Sequence, residues 1–482
     1  MAFSHGVTAS EKQFAPLAAR PNRFTTVIAV GTAPVNMSTL AVPPVNTPIR
    51  VNTRDEAVAK FGYSEDWESF TLCEVIESHF TNYKQSPLIL INVMDPAVHV
   101  ESVASSVVGI VKGRATLPDD GIIMGTLTVK SADGTTTYVK GTDYTASYDV
   151  TGKVLIISRN GGSIPTSANS ISVSYDKLDA SVVDATSIIG GADPMTGVRT
   201  GIELVEEVYP RFQLVPDVLI APGFSDQRAV ASAMVSKGQK VNGVFETIAI
   251  TDLDASKNYL EIVDWKNDNG YRDPLQINAY PMAKYAGRIY HMSTIIAGTK
   301  ATVDAGNDGV PAESPSNKRA MIDALVYADG TEMYLGKEQA DMLNSNGIVT
   351  AINFTGQYNV WGNRTAAYPD YTDPQRSFIP VRATFSWAKN NFITQYWSRV
   401  DSLMNNRNIG SVVDDANVWL NGLGASGYLL GGVVSFDESE NPIEELLNGK
   451  AVFKFRMTPP NPMEAIEGKF EYDTSYFAAL FA

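Results

Sequence analysis

At 482 residues, 44% hydrophobic and 19% charged, the chain has a globular composition and length enough for roughly two to four domains. Its formal net charge of -15 repels phosphate backbones and argues against direct nucleic-acid binding. A single cysteine, Cys73, excludes an intrachain disulfide, and no apolar run approaches the roughly 20 residues of a membrane helix, so neither an oxidising compartment nor stable membrane insertion is expected.

Residues 1–22 read as an arm. Phe3, His5 and Val7 alternate with small residues, then Pro16 and Pro21 interrupt any regular element, and no signal-peptide pattern is present. The run Thr25-Thr26-Val27-Ile28-Ala29-Val30-Gly31 predicts a buried strand, 67–83 a helix and 87–93 a second buried strand. Strand, helix, strand in that order predicts a parallel α/β unit. From about 122 to 178 the pattern changes to five short β-branched or aromatic segments, punctuated by Asp133-Gly134, Thr151-Gly152 and Gly161-Gly162. Tight turns between short strands predict a small antiparallel β domain inserted into the α/β one. The α/β pattern resumes with a strand at 217–223, a helix around 227–238 and a strand at 245–250, and 303–317 reads as a loop.

Beyond about 345, Phe385, Ala388, Phe392, Tyr396, Val400 and Leu403 recur at spacings of three and four, which predicts one helix ending near Met404. A shorter helix is expected at 410–420. Residues 450–457 alternate, with Ala451, Phe453, Phe455 and Met457 on one side, as in a half-buried strand. After Pro459, Pro460 and Pro462, the run Phe470-Glu471-Tyr472-Asp473 alternates again, and Tyr476-Phe477-Ala478-Ala479-Leu480-Phe481 follows. The expected fold is therefore α/β multidomain. A discontinuous α/β core domain (23–108 and 180–345) carries the β insert (109–179), followed by an α+β C-terminal domain (346–469), with strand-like arms at 1–22 and 470–482.

The sequence offers no catalytic constellation. His5, His79, His99 and His291 make no metal-ligand spacing. Gly424-Ala425-Ser426-Gly427 lacks the spacing of a nucleophile elbow, and neither Gly31-Thr32-Ala33-Pro34 nor Gly190-Gly191-Ala192-Asp193 is a phosphate-binding loop. The acidic group Asp437, Glu438, Glu440, Glu444 and Glu445 lacks calcium-loop spacing. No enzyme activity, cofactor or metal is expected. The ends are more informative. Burying Tyr476, Phe477, Leu480 and Phe481 would contribute roughly 1.5–3 kcal/mol each, on the chain's own domain or on another chain. Two strand-like termini outside the predicted cores suit strand addition to a neighbour's sheet edge.

These features, in order, resemble the contractile phage tail sheath protein family over nearly the whole chain. The resemblance rests on His5-Gly6-Val7 and the strand through Pro34, on Asn46-Thr47-Pro48-Ile49, Lys60-Phe61-Gly62 and Thr71-Leu72. It continues through Gly190-Gly191-Ala192-Asp193, Thr196-Gly197, Gly201-Ile202 and Ala221-Pro222-Gly223. Its most specific part is Asn346-Gly347-Ile348-Val349 with Trp361-Gly362-Asn363-Arg364-Thr365. It implies a structural subunit of a homo-oligomeric helical sheath, built of six-fold discs around a tail tube protein, that contracts after a baseplate trigger and drives the tube through the target cell envelope. Baseplate and tail terminator proteins are implied partners, and the particle is a virion tail or a headless contractile bacteriocin assembled in a bacterial cytoplasm. The 346–469 region is then the polymerisation domain. Its inter-subunit strand-exchange residues would be Phe453 and Phe455, with Phe3, His5, Val7, Phe470, Tyr472, Tyr476, Phe477, Leu480 and Phe481 in the arms. Between 364 and 413 six basic residues face three acidic ones, a local +3 in a chain of -15. Lys389, Arg399 and Arg407 are accordingly expected to face the tube from one helix, while Trp361, Gly362 and Arg364 serve as internal structure. Two other readings are an adhesive tail protein with a glycan-binding β insert and an α/β enzyme.

Overall fold

Strands that are mostly apolar along their length have to be covered on both faces, and here three of them, Leu88–Asn92, Val27–Gly31 and Val218–Ile220, lie side by side in one large twisted sheet. The computed structural model describes residues 24–481. Its eight-stranded sheet runs in the order Ile49–Val51, Leu88–Asn92, Val27–Gly31, Val218–Ile220, Ile248–Asp252, Gln276–Ala279, Ile348–Asn353, Tyr358–Trp361. The inner strands pair in parallel, and the two outermost are antiparallel to their neighbours. Every residue of Val27–Gly31, Leu88–Asn92 and Ile248–Asp252 is buried. Helix Met292–Gly306 packs on the middle strands and is buried continuously from Met292 to Ala301. The chain is thus mixed α/β with several sheets.

The insert has a hydrophobic core of its own, built around Leu117, Ile122, Val129, Tyr144, Val154, Ile156, Ile171 and Val173. Two small antiparallel sheets enclose it. One orders Val100–Gly109, Ser170–Leu178, Thr128–Ser131 and Thr137–Tyr138, the other Arg114–Thr116, Val154–Ser158 and Tyr144–Tyr148. It is tied to the body by Ser64 Oγ donating to Asp120 (2.7 Å) and Asn36 Nδ2 donating to the Ile122 carbonyl (2.8 Å).

A third cluster joins Trp387, Ala388, Ala416, Leu420, Leu423 and Val434. It lies between helices Ile379–Tyr396 and Asn406–Ala425 and the ribbon of strands Gly431–Ser435 and Lys454–Thr458.

The structure corrects several expectations. Strand Val100–Gly109 pairs along its length with Ser170–Leu178, so the insert's sheet begins before residue 109. Strands Ile348–Asn353 and Tyr358–Trp361 complete the large sheet, which therefore crosses the division drawn at 345. The helix expected from 67 starts at Thr71, because Asp66 takes the Ser69 amide in a turn. Residues 303–306 close a helix rather than open a loop. The helix expected to reach Met404 ends at Tyr396. A turn follows with Asp401 at φ +64°, and Asn405 caps a new helix by accepting from the Asn408 amide. Finally, 470–473 is not a strand, and Thr474–Phe481 is a 3-10 helix rather than an extended arm. A lone strand has nothing to bond to, so this backbone satisfies itself locally.

Candidate functional site

Phe453 and Phe455 belong to the ribbon Gly431–Ser435/Lys454–Thr458. Two-stranded ribbons are marginal alone, and this one is held by packing on helix Asn406–Ala425 and by Phe455 against Phe392 (centroids 5.0 Å). Its two edges differ. On strand Gly431–Ser435 the Val434 amide donates to Asn417 Oδ1 (2.9 Å), and its carbonyl accepts from Asn417 Nδ2 (3.0 Å). A helix side chain thus takes the place of a neighbouring strand there. Asn441 does the same for Val452, with its amide at 2.7 Å and its carbonyl at 2.9 Å, which explains why the paired strand begins at Lys454 rather than 450. On the opposite edge the backbone groups of Phe453, Phe455 and Met457, which alternate away from Gly431–Ser435, find no partner strand among the described residues. That edge is open for strand addition.

Beside Ala451 and Phe453 lies a groove of about 610 Å³, walled by Phe392, Tyr396, Trp397, Val400, Leu403 and Met404 among others. Trp397 is 65% exposed and Leu403 77%. The residues that continue the helical period past Tyr396 therefore line a surface groove instead of a core. The C-terminal stretch carries the complementary feature. Phe470, Tyr472, Tyr476, Phe477, Leu480 and Phe481 are all exposed, Phe470 completely and Phe481 at 92%. Phe3, His5 and Val7 lie outside the described residues.

The three expected tube-facing cations are not brought onto one helix. Lys389 sits on helix Ile379–Tyr396 and pairs with Glu246 (2.5 Å), which also receives Arg382 (2.9 Å) and the Ser386 hydroxyl (2.7 Å). Burial would raise the Glu246 carboxyl, but Lys389 and Arg382 outweigh it and hold the group below its ordinary value. Arg399 lies in the turn between the helices, 3.7 Å from Asp415. Arg407 is exposed on the next helix.

Trp361, Gly362 and Arg364 come together where the last sheet strand ends. Gly362 has φ +141°, and a Cβ there would lie 2.7 Å from Asn344 Oδ1, so the position requires glycine. The Arg364 guanidinium lies over the rings of Phe378 (3.8 Å to the centroid) and Tyr368 (4.5 Å), and its Nη1 donates to Ser377 Oγ (3.0 Å). It also forks onto Glu464, Nε to Oε1 at 2.9 Å and Nη2 to Oε2 at 2.5 Å. Reading the sequence did not find Asn417, Asn441, Glu246 or Glu464, because each acts through a partner distant in the chain and none belongs to a local motif.

Among the described residues, no group of three or more His, Cys, Asp or Glu side chains is arranged to hold a metal, and no helix is long and apolar enough to cross a membrane. Cys73 is buried, which pushes its thiol up to about 12. No protein-family model matches the chain. It is 29% identical over 500 residues to the tail sheath protein of Burkholderia phage BcepMu, across 99% of this chain and 98% of that protein. It is 27% identical over 303 residues to a putative prophage major tail sheath protein of Pseudomonas aeruginosa, across 61% of this chain and 74% of that one. The fold matches the sheath complex of an extracellular contractile injection system, PVC, in its contracted state, with a TM-score of 0.58 over 99% of each chain at 15% identity. The chain is thus similar along its full length to a phage tail sheath protein, and it shares its fold with the sheath of a contractile injection system.

Proposed function

We propose that the chain is the structural subunit of a contractile tail sheath, working by polymerisation rather than by catalysis. The observation that carries this reading is the open edge at Phe453, Phe455 and Met457, in a chain whose own C-terminal apolar stretch is exposed. In the assembly, residues 470–481 of one copy extend and add as a strand to that edge on a neighbour. Their aromatic side chains enter the groove walled by Trp397, Val400 and Leu403. Each backbone bond contributes only about 0.5–1.5 kcal/mol net, and each large apolar side chain roughly 1.5–3 kcal/mol. Several of both, repeated at every subunit, make a continuous fabric. The segment around Phe3, His5 and Val7 supplies a second strand in the same way.

The copies form six-fold discs stacked as a helix around a tail tube protein, bounded by baseplate and tail terminator proteins, in a virion tail or a related particle. Contraction is a rigid-body re-packing of subunits into a wider, shorter helix, with the exchanged strands keeping neighbours linked. Of the three cations, Arg407 is the best placed to meet an acidic tube, since Lys389 and Arg399 already have partners in their own chain.

Negative-stain microscopy of the purified protein is expected to show hollow, striated cylinders of uniform width. A chain lacking 470–482 is expected to stay folded and monomeric. Tubular polymers from that truncated chain would rule out the C-terminal strand exchange.

A further inference from the structure

The C-terminal stretch does not leave the body where the last strand ends. From Pro459 to Pro462 three prolines stiffen the chain, with Pro459 buried and Pro460 and Pro462 half-buried, so the run lies along the body. Two residues on, Glu464 meets Arg364. That fork is the one polar contact between 459–481 and the rest of the chain among the described residues. Arg364 is itself immobilised, by the Phe378 and Tyr368 rings and by Ser377, and its side chain is only 15% exposed. A planar guanidinium fixed on three sides presents its remaining donors in one direction, and a bidentate carboxylate fits only that direction.

We infer that Arg364 is a positioning residue for assembly. It clamps Glu464 and so sets the point and direction from which the stretch 465–481 departs toward a second copy of this chain. The inference rests on the strand-exchange reading above. It gives that stretch a reach of about 55–60 Å beyond the clamp, at about 3.3–3.6 Å per extended residue. Releasing the clamp lengthens the free tether from about 17 to about 19 residues, counted from the end of the proline run. By the three-halves power of length, that alone lowers the effective concentration at a neighbour's sheet less than twofold. Any larger effect measures the loss of direction.

The test compares Arg364→Ala, Glu464→Ala, the double variant and Glu464→Gln in the full chain. It reads the critical concentration for tube formation by sedimentation and the thermal midpoint of the monomer. Each single alanine variant is expected to raise the critical concentration more than twofold. The double variant is expected to match the larger single effect, because one contact is being removed twice, and Glu464→Gln to fall between Glu464→Ala and the parent. The Glu464→Ala midpoint is expected within about 2 °C of the parent's, since Glu464 is 40% exposed and Arg364 keeps Ser377 and the Phe378 and Tyr368 rings. A critical concentration raised less than twofold by Glu464→Ala, or additive effects in the double variant, would overturn the clamp. So would a Glu464→Ala midpoint lowered beyond those 2 °C, because that pair would then brace the body itself. The chain lacking 470–482 is run alongside. If it polymerises normally, the strand-exchange reading has failed; if it does not polymerise while Glu464→Ala behaves like the parent, only the clamp has.

Discussion

At the scale of single residues, His291, which belongs to no metal or catalytic motif, ties two elements of the body together. His291 caps the approach to helix Met292–Gly306, with Nδ1 2.8 Å from Glu74 Oε2 and its amide donating to Glu74 Oε1 (2.7 Å). Burial alone would lower its pKa. Glu74 outweighs that, with Asp252 and Asp226 adding to it, and His291 is raised to about 9. A histidine raised in the folded state gives stability that is complete below about pH 6.5 and is lost as pH rises toward 9. His79 is pushed by burial the other way, to about 4, so its effect is confined to acid, where stability falls from pH 6.5 downward. Urea unfolding of the monomer is therefore expected to show about 1–2 kcal/mol lost between pH 6.5 and 8 on account of His291. Glu74→Gln should abolish that slope while lowering stability at pH 6.5. A variant that keeps the parent's slope would show that some other group titrates there.

At the scale of elements, Glu246 decides how the C-terminal helices sit on the sheet. It lies just before strand Ile248–Asp252 and receives three side chains of helix Ile379–Tyr396, while its amide donates to Asn390 (2.9 Å). Glu246→Ala leaves Arg382 buried and uncompensated, for which about 3–5 kcal/mol of lost stability is expected in urea unfolding. Lys389→Ala removes a half-exposed partner and should cost at most about 1 kcal/mol. Equal losses would mean that the lysine, not the buried arginine, sets the interface. Lys389→Glu, by contrast, places like charges together and perturbs the fold before it reports on any tube. Arg407→Glu is the cleaner probe. The same elements show what the sequence made legible. Strands Val27–Gly31 and Val218–Ile220 are apolar throughout, and Leu88–Asn92 is apolar up to Asn92, so a run of side chains was enough to find them. Helix Met292–Gly306 is buried around its whole circumference for most of its length and therefore has no polar face to mark its period. The small sheet of Met282–Tyr285, Arg288–Tyr290, Ala324–Val326 and Glu332–Met333 was missed because its strands are too short to alternate visibly. The overlong C-terminal helix came from a real period. Val400 and Leu403 keep the spacing of Phe392 and Tyr396, but they face a groove, and periodicity does not distinguish a surface made for a partner from a core.

At the scale of the whole molecule, the insert is the part whose removal separates folding from assembly. Its first and last strands lie side by side, with Val100 opposite Leu178 in the ladder, so the chain enters and leaves at one place. Its core is a separate cluster. Its attachments to the body include polar ones, with Ser64 Oγ donating to Asp120 (2.7 Å), Asn36 Nδ2 to the Ile122 carbonyl (2.8 Å) and the Glu65 amide to the Thr151 carbonyl (3.1 Å), beside a cleft of about 550 Å³. Cutting such contacts exposes little of the main core beyond Phe70, which Gly121 covers. Replacing 101–177 by a short glycine-serine turn should therefore leave a body that unfolds in one cooperative step, its midpoint lowered by only a few degrees. The edge at Phe453–Met457 packs on a different cluster, and the exposed stretch 470–481 belongs to the same, other end of the sequence. If strand exchange alone links neighbours, the shortened chain will still form tubes, and microscopy will find them with the same axial repeat and a smaller outer diameter. A shortened chain that folds but stays monomeric would place the insert within the inter-subunit contacts. The polymer would then be held together by two kinds of surface, of which the exchanged strands are only one.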